Sequence, residues 1–377
     1  MPAAETRIKI VLYNPMAVFY TMPLALMTIA SSLDRSRFEV VIVDARLEPD
    51  AHRRVLEACR GALLLGVTVL TGKPLKDALE LSRKVRAAQP DLPIVWGGWH
   101  PSLFPTQCLT DPAVDAVVIG QGEQTFQEAV NRLMASGSKV GSLEGCPGLS
   151  FRTAEGRVVN NPERALIDLN ALPPHDYRLF PVERYFALKG RRQLDYISSQ
   201  GCPYRCAFCA DPAVYKRRWT GIDADRMLEE LMALHARHRL EEVALQDELF
   251  FVSRKRAEAF MDGLIAQGSP FTWTATLRAD QASRMDVSMF EKMGRSRCRE
   301  VLIGVESGSP ELLKRIAKDI KLEQVIAAAT RCAEHGVGAT FPFIIGFPDE
   351  PEGSVWQTLQ VAKQLSRMSP QFHVKLF

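Results

Sequence analysis

The sequence shows little bias of charge. Its 47 Lys plus Arg against 44 Asp plus Glu leave a formal +3 over 377 residues, too small to imply nucleic acid or an anionic membrane surface as partner. Long hydrophobic runs are missing too. The first strand-like stretch, residues 8–13, is reached without the apolar core of a signal peptide, and residues 62–70 fall far short of the ~20 needed to cross a bilayer. A cytoplasmic protein with no membrane span is therefore expected. Eight cysteines are too few for a disulfide scaffold, and neither repeats nor low-complexity segments occur. What remains is an ordinary globular composition, 46% hydrophobic and 24% charged, long enough for two domains at about 150 residues each.

Short β-branched runs alternate with amphipathic ones from the start. Strands are predicted at 8–13, 38–44, 62–69, 93–96 and 114–119, and helices at 24–33, 51–59, 74–88 and 123–135. This alternation implies an α/β domain over residues 1–135, a doubly wound (Rossmann-like) parallel sheet that binds ligands beyond the carboxyl ends of its strands. Gly145, Pro147, Pro162, Pro173, Pro174 and Pro181 then interrupt the pattern, and residues 136–194 read as a linker with a candidate hairpin. Strands follow at 195–199, 242–246, 272–276, 300–305, 340–345 and 372–376, with helices between them. Residues 195–377 thus read as a partial parallel (β/α)6 barrel ending at its sixth strand, with its chemistry at the C-terminal strand ends.

Three of the eight cysteines sit together in Gly201-Cys202-Pro203-Tyr204-Arg205-Cys206-Ala207-Phe208-Cys209, a C-x3-C-x2-C loop just after the first barrel strand. Three thiolates on a four-iron cluster leave one iron open for another ligand. A zinc site would need a fourth ligand for closure, and three unrelated buried cysteines are the plainest alternative. The spacing, with aromatic Phe208 before the third cysteine, resembles the radical S-adenosylmethionine superfamily. That resemblance implies a 4Fe-4S cluster on Cys202, Cys206 and Cys209 whose open iron chelates S-adenosylmethionine. It also implies roles at later strand ends. Asp247 and Glu248 match the paired acids that receive the methionyl ammonium, and Arg278 matches the arginine on the methionyl carboxylate. Glu306 matches the ribose or methionyl contact, and Gly346-Phe347-Pro348 the backbone lip at adenine. Each acid alone could be a strand-end salt bridge; four such segments on one barrel rim favour a site. Lys216-Arg217-Arg218 reads as a solvated face, and Thr220 with Asp223 as a helix N-cap region.

The first 135 residues resemble the cobalamin-binding domain that precedes the barrel in one branch of that superfamily. The matching segments are Thr68, Leu70 and Thr71 after the third strand, Gly97, Gly98, His100 and Pro101 after the fourth, and Gly120, Gly122 and Glu123 after the fifth. Glycines permit close backbone approach to a bulky cofactor, and the threonine hydroxyls can bond its tail. The D-x-H-x-x-G motif that supplies a cobalt ligand in the methionine synthase type is lacking after the first strand, where the loop reads Asn14-Pro15-Met16. Asp50-Ala51-His52 mimics half of it after the wrong strand, and His100 reads as a hydrogen bonder rather than a cobalt ligand.

The combined resemblance implies a cobalamin-dependent radical enzyme that methylates an unactivated carbon of a small-molecule substrate, through a 5′-deoxyadenosyl radical and methylcobalamin. A ferredoxin or flavodoxin would supply electrons. The alternatives are a radical cyclase or rearrangement enzyme of the same branch, a methylthiotransferase with a second cluster on Cys59, Cys108 and Cys146, and a non-catalytic cobalamin carrier.

Overall fold

The computed structural model describes residues 7–377. The chain forms two compact units. One takes the described residues through Ile167 together with Ala171–Gly190; the other takes Asp168–Asn170 and Arg191–Phe377.

The first unit is built on seven strands: β1 (Ile8–Asn14), β2 (Phe38–Asp44), β3 (Ala62–Thr68), β4 (Ile94–Gly97), β5 (Ala116–Val118), β6 (Leu149–Arg152) and β7 (Val158–Asn160). Their order is β2-β1-β3-β4-β5-β6-β7, parallel through β5 and antiparallel beyond it. Side chains of β1 alternate between two cores, Val11 and Tyr13 on one face and Ile10 and Leu12 on the other. Helices covering both faces explain why these strands are apolar on both sides. The order reverses between β1 and β3, so the crevice beyond their carboxyl ends is the natural ligand position of this sheet. The candidate hairpin of the 136–194 stretch is β6–β7, and it extends this sheet past β5.

The second unit has strands β8 (Gln193–Tyr196), β9 (Ser199–Gly201), β10 (Trp219–Gly221), β11 (Glu242–Leu245), β12 (Thr272–Leu277), β13 (Cys298–Ile303), β14 (Gly338–Phe343) and β15 (Phe372–Leu376). Six of them pair in parallel in chain order, β8-β11-β12-β13-β14-β15, an open form of the barrel expected from the sequence. The 195–199 strand of the sequence reading is split in two. β8 ends at Tyr196, and β9 turns off to pair antiparallel with β10. That ribbon brackets the cysteine loop. Gly201 has φ +83, and a Cβ there would lie 2.3 Å from the Arg218 carbonyl, so the close ribbon requires glycine.

Candidate cofactor sites

In the second unit the split strand is explained by Asp247, at the end of β11. Its buried carboxylate accepts hydrogen bonds from Ser198 N (2.6 Å), Ser198 Oγ (2.6 Å) and Ser199 Oγ (2.7 Å), drawing the chain off the sheet. Arg256 supports the same corner, donating through Nη2 to Ser198 O (2.9 Å) and Ser198 Oγ (2.6 Å) beneath the Phe250 ring. Asp247 is thus committed to the backbone that launches the cysteine loop. Its neighbour Glu248 accepts a long bond from Gly201 N (3.3 Å). Burial, with Asp211's charge behind it, pushes the Glu248 carboxyl up to about 8.

The cysteine loop itself is fastened at several points. Ala207 N donates to Ile316 O (2.9 Å), Arg205 pairs with Asp319 (2.8 Å), and Arg217 Nε reaches Pro203 O (3.2 Å). Arg278, following β12, donates to Cys206 Sγ (3.5 Å) and stacks 3.7 Å from the Tyr204 ring centroid. Burial raises the thiol pKa of Cys202, and that of Cys209 to about 12. Cys209 N donates to Cys206 O (3.2 Å), which tightens the turn between the second and third cysteines. Among the described residues no three His, Cys, Asp or Glu side chains gather round a single metal ion. Three thiols on one tethered loop, one of them taking a guanidinium N–H, suit the thiolate chemistry of an iron–sulfur cluster.

Glu306 follows β13 with φ +70, and its carboxylate meets Lys318 Nζ at 2.7 Å in a buried ion pair. The same ammonium lies 5.8 Å from the Phe208 ring, and Phe208 meets Phe347 edge-on at 5.9 Å. Gly346 (φ +89) donates to Glu350 Oε2 at 2.7 Å, and Pro348 O accepts from Arg315. The loops after β9, β13 and β14 therefore share one rim. Sequence reasoning missed Ser198, Ser199, Arg256, Lys318 and Asp211. Asp211 is buried, accepts from Cys209 Sγ (3.5 Å) and keeps Oδ1 without a partner. Only its place two residues past the third cysteine could have flagged it.

In the first unit the loops after β3, β4 and β5 are tied to each other. Val69 N donates to Gly97 O (2.8 Å) and His100 N to Val69 O (3.1 Å). Thr71 Oγ1 and His100 Nδ1 stand 3.1 Å apart, and Ser102 Oγ bridges Gly98 O (2.7 Å) and Gly120 N (2.9 Å). Ser102 had no sequence signal. Gly98 has φ +97, and a Cβ there would crowd Val69 N at 3.0 Å. His100 is buried, which lowers its pKa, and packs on Phe104 at 5.3 Å. His100 and buried Pro101 lie in the short helix Trp99–Leu103, Gly122 caps the helix Glu123–Ser136, and Glu123 is buried in its first turn. Thr68 and Leu70 are half-buried at the end of β3. Hydroxyls, glycines and a neutral imidazole at three carboxyl strand ends fit a large, polar-tailed cofactor. His52 is held elsewhere, 2.9 Å from Asp77.

Cys59 and Cys108 belong to the core on one face of the first sheet, and Cys146 to the core on the other. A cluster on these three cysteines has no common place to form.

Two family models match the chain, "Radical SAM superfamily" over residues 196–362 and "B12 binding domain" over residues 15–130. The chain is 32% identical over 356 residues to the uncharacterized methyltransferase PH0819 of Pyrococcus horikoshii, covering 93% of this chain and 75% of the relative. It is 26% identical to the anaerobic magnesium-protoporphyrin IX monomethyl ester cyclase of Synechocystis, with 94% and 70% covered. Its fold is similar to that of the radical S-adenosylmethionine methyltransferase TsrM from Kitasatospora setae, with TM-score 0.81, 19% identity, and 98% and 72% of the two chains covered.

Proposed function

The chain belongs to the radical S-adenosylmethionine superfamily, in the branch that carries an amino-terminal B12-binding domain, and from that premise we propose that it methylates an unactivated carbon of a small molecule. The observation that carries this reading is the coexistence in one chain of a tethered cysteine triplet on a barrel rim and three interlocked glycine and hydroxyl loops at the carboxyl ends of a parallel sheet. When bound, the cluster with S-adenosylmethionine supplies radical chemistry and cobalamin supplies methyl transfer.

The residues have separable tasks. Cys202, Cys206 and Cys209 hold the cluster. Glu248 faces the methionyl ammonium, where a carboxylate and an ammonium form a charge-assisted hydrogen bond. Glu306, with Lys318 opposing it, orients the ribose or methionyl group, and Gly346, Phe347 and Pro348 offer backbone and ring to adenine. Phe208 and Phe347 exclude water from this rim. In the first unit Thr68, Leu70, Thr71, Gly97, Gly98, His100, Pro101, Gly120, Gly122 and Glu123 surround cobalamin, His100 as a neutral hydrogen bonder. Electrons come from a reduced ferredoxin or flavodoxin, and the protein works in the cytoplasm. No helix of the described residues is long and apolar enough to cross a membrane.

The test is anaerobic reconstitution with iron, sulfide and hydroxocobalamin, followed by iron and cobalt quantitation per chain. Four irons and one cobalt support the reading; iron without cobalt removes methyl transfer. The likeness to the cyclase from Synechocystis motivates a second reading, ring closure on a tetrapyrrole. Methyl-labelled S-adenosylmethionine separates them, since only methylation moves the label into product.

A further inference from the structure

Arg278 was read from the sequence as the clamp on the methionyl carboxylate, yet each of its three guanidinium nitrogens already donates within the protein. Nε gives to Asp280 Oδ1 (2.8 Å), Nη2 to the Lys318 carbonyl (2.6 Å) and Nη1 to Cys206 Sγ (3.5 Å). The plane is stacked on Tyr204, which lies between the first two cysteines, and the residue is 6% exposed. Asp280 also takes the Tyr204 hydroxyl (3.2 Å) and Arg284 (2.9 Å), so ring, acid and guanidinium lock one another.

The backbone that supplies the Lys318 carbonyl is bent to do so. Ala317 (φ +50) and Asp319 (φ +52) both sit in the left-handed region, unusual for non-glycine residues and found where surroundings enforce it. This segment also presents Ile316 O to Ala207 N, beside the same cysteine. A planar fork that reaches an acid, a carbonyl and a sulfur at once is something lysine cannot reproduce.

We propose that Arg278 is a positioning residue for the cluster, holding Cys206 in place and setting the cluster's reduction potential through its N–H bond to the ligand sulfur. This inference rests on the cluster assignment above. Hydrogen bonds to cluster sulfurs, and net charge nearby, are the protein's means of setting that potential. A buried guanidinium against the ligand sulfur stabilises the added negative charge of the reduced cluster and raises its potential.

The experiment is an EPR-monitored redox titration of the reconstituted full chain without S-adenosylmethionine, for wild type, Arg278→Gln and Arg278→Lys, with iron counted in each. Four irons in wild type are required first; their absence defeats the cluster assignment rather than this inference. In Arg278→Gln the midpoint is expected to fall, with the reduced-to-oxidised ratio at the wild-type midpoint dropping about tenfold, equivalent to 59 mV for one electron. Iron loss from a variant that unfolds at the wild-type temperature also supports the holding role. If Arg278→Gln does not fold, Arg278→Lys decides, with a smaller shift in the same direction expected. An unchanged midpoint with full iron, in whichever variant folds, overturns the proposal.

Discussion

The two candidate sites are built from different materials. Around the cysteine loop several contacts are ionic and buried: Asp247 with Arg256 nearby, Arg278 with Asp280, and Glu306 with Lys318. Between the loops after β3, β4 and β5 the hydrogen bonds described are neutral, with a serine hydroxyl between two backbone groups, a threonine against an imidazole, and glycines in close approach. A cluster and a zwitterionic co-substrate carry formal charges, which need opposing charges in a low-dielectric setting. A bulky corrin with a nucleotide tail is recognised by shape and dispersed hydrogen bonds. The difference in materials is what a division of labour between the two cofactors would demand.

The strongest way to break that comparison is Cys206→Ala. It should abolish iron binding while leaving cobalt uptake near the wild-type level, and joint loss of both metals would show that the sites are not separable. Asp247→Ala comes next, because it strands three donors and leaves Arg256's charge without its counterpart. A loss of about 3–5 kcal/mol in urea unfolding is expected. Gly98→Ala probes the neutral site, where positive φ and a crowded Cβ should cost about 1–3 kcal/mol and weaken hydroxocobalamin in a visible-absorption titration. Unaltered affinity and stability would mean the backbone there has slack.

The smallest effect is a pH dependence. Burial lowers the folded-state pKa of His100 below its ordinary 6.5. The unfolded imidazole therefore takes its proton first as the pH falls. His100 contributes stability that is fully present above pH 6.5 and is lost on acidification toward its folded-state pKa. His100→Gln should flatten the fall in urea midpoint between pH 7.5 and 5.5 relative to wild type. An identical slope in both proteins would place that dependence on other groups.

Periodicity made the strands legible: β2 in the first unit and β15 in the second occupy the residues expected, and the remaining parallel strands differ at their ends by a few residues. The break between β8 and β9 could not be read, since it depends on Asp247, 49 positions away, capturing Ser198. The cysteine triplet needed no structure to be noticed, because its signal is contiguous. The commitment of Arg278 did need one, since its partners come from three separate segments. Lys216-Arg217-Arg218 is exposed as expected, yet Lys216 and Arg217 adopt positive φ and form the turn that returns the chain to β10. A run of like charges hides that conformational role.

The β9–β10 ribbon has a consequence for how the cysteine loop is closed. Both ends of the cysteine loop are stitched together by backbone pairing between Gly201 and Trp219, and its middle is pinned at Ala207. Backbone bonds of the chain's own thus offset part of the entropy of closing that loop. The closure of the cysteine loop is thereby tied to the stability of the ribbon, so that a change fraying Gly201 from Trp219 would reach all three thiols.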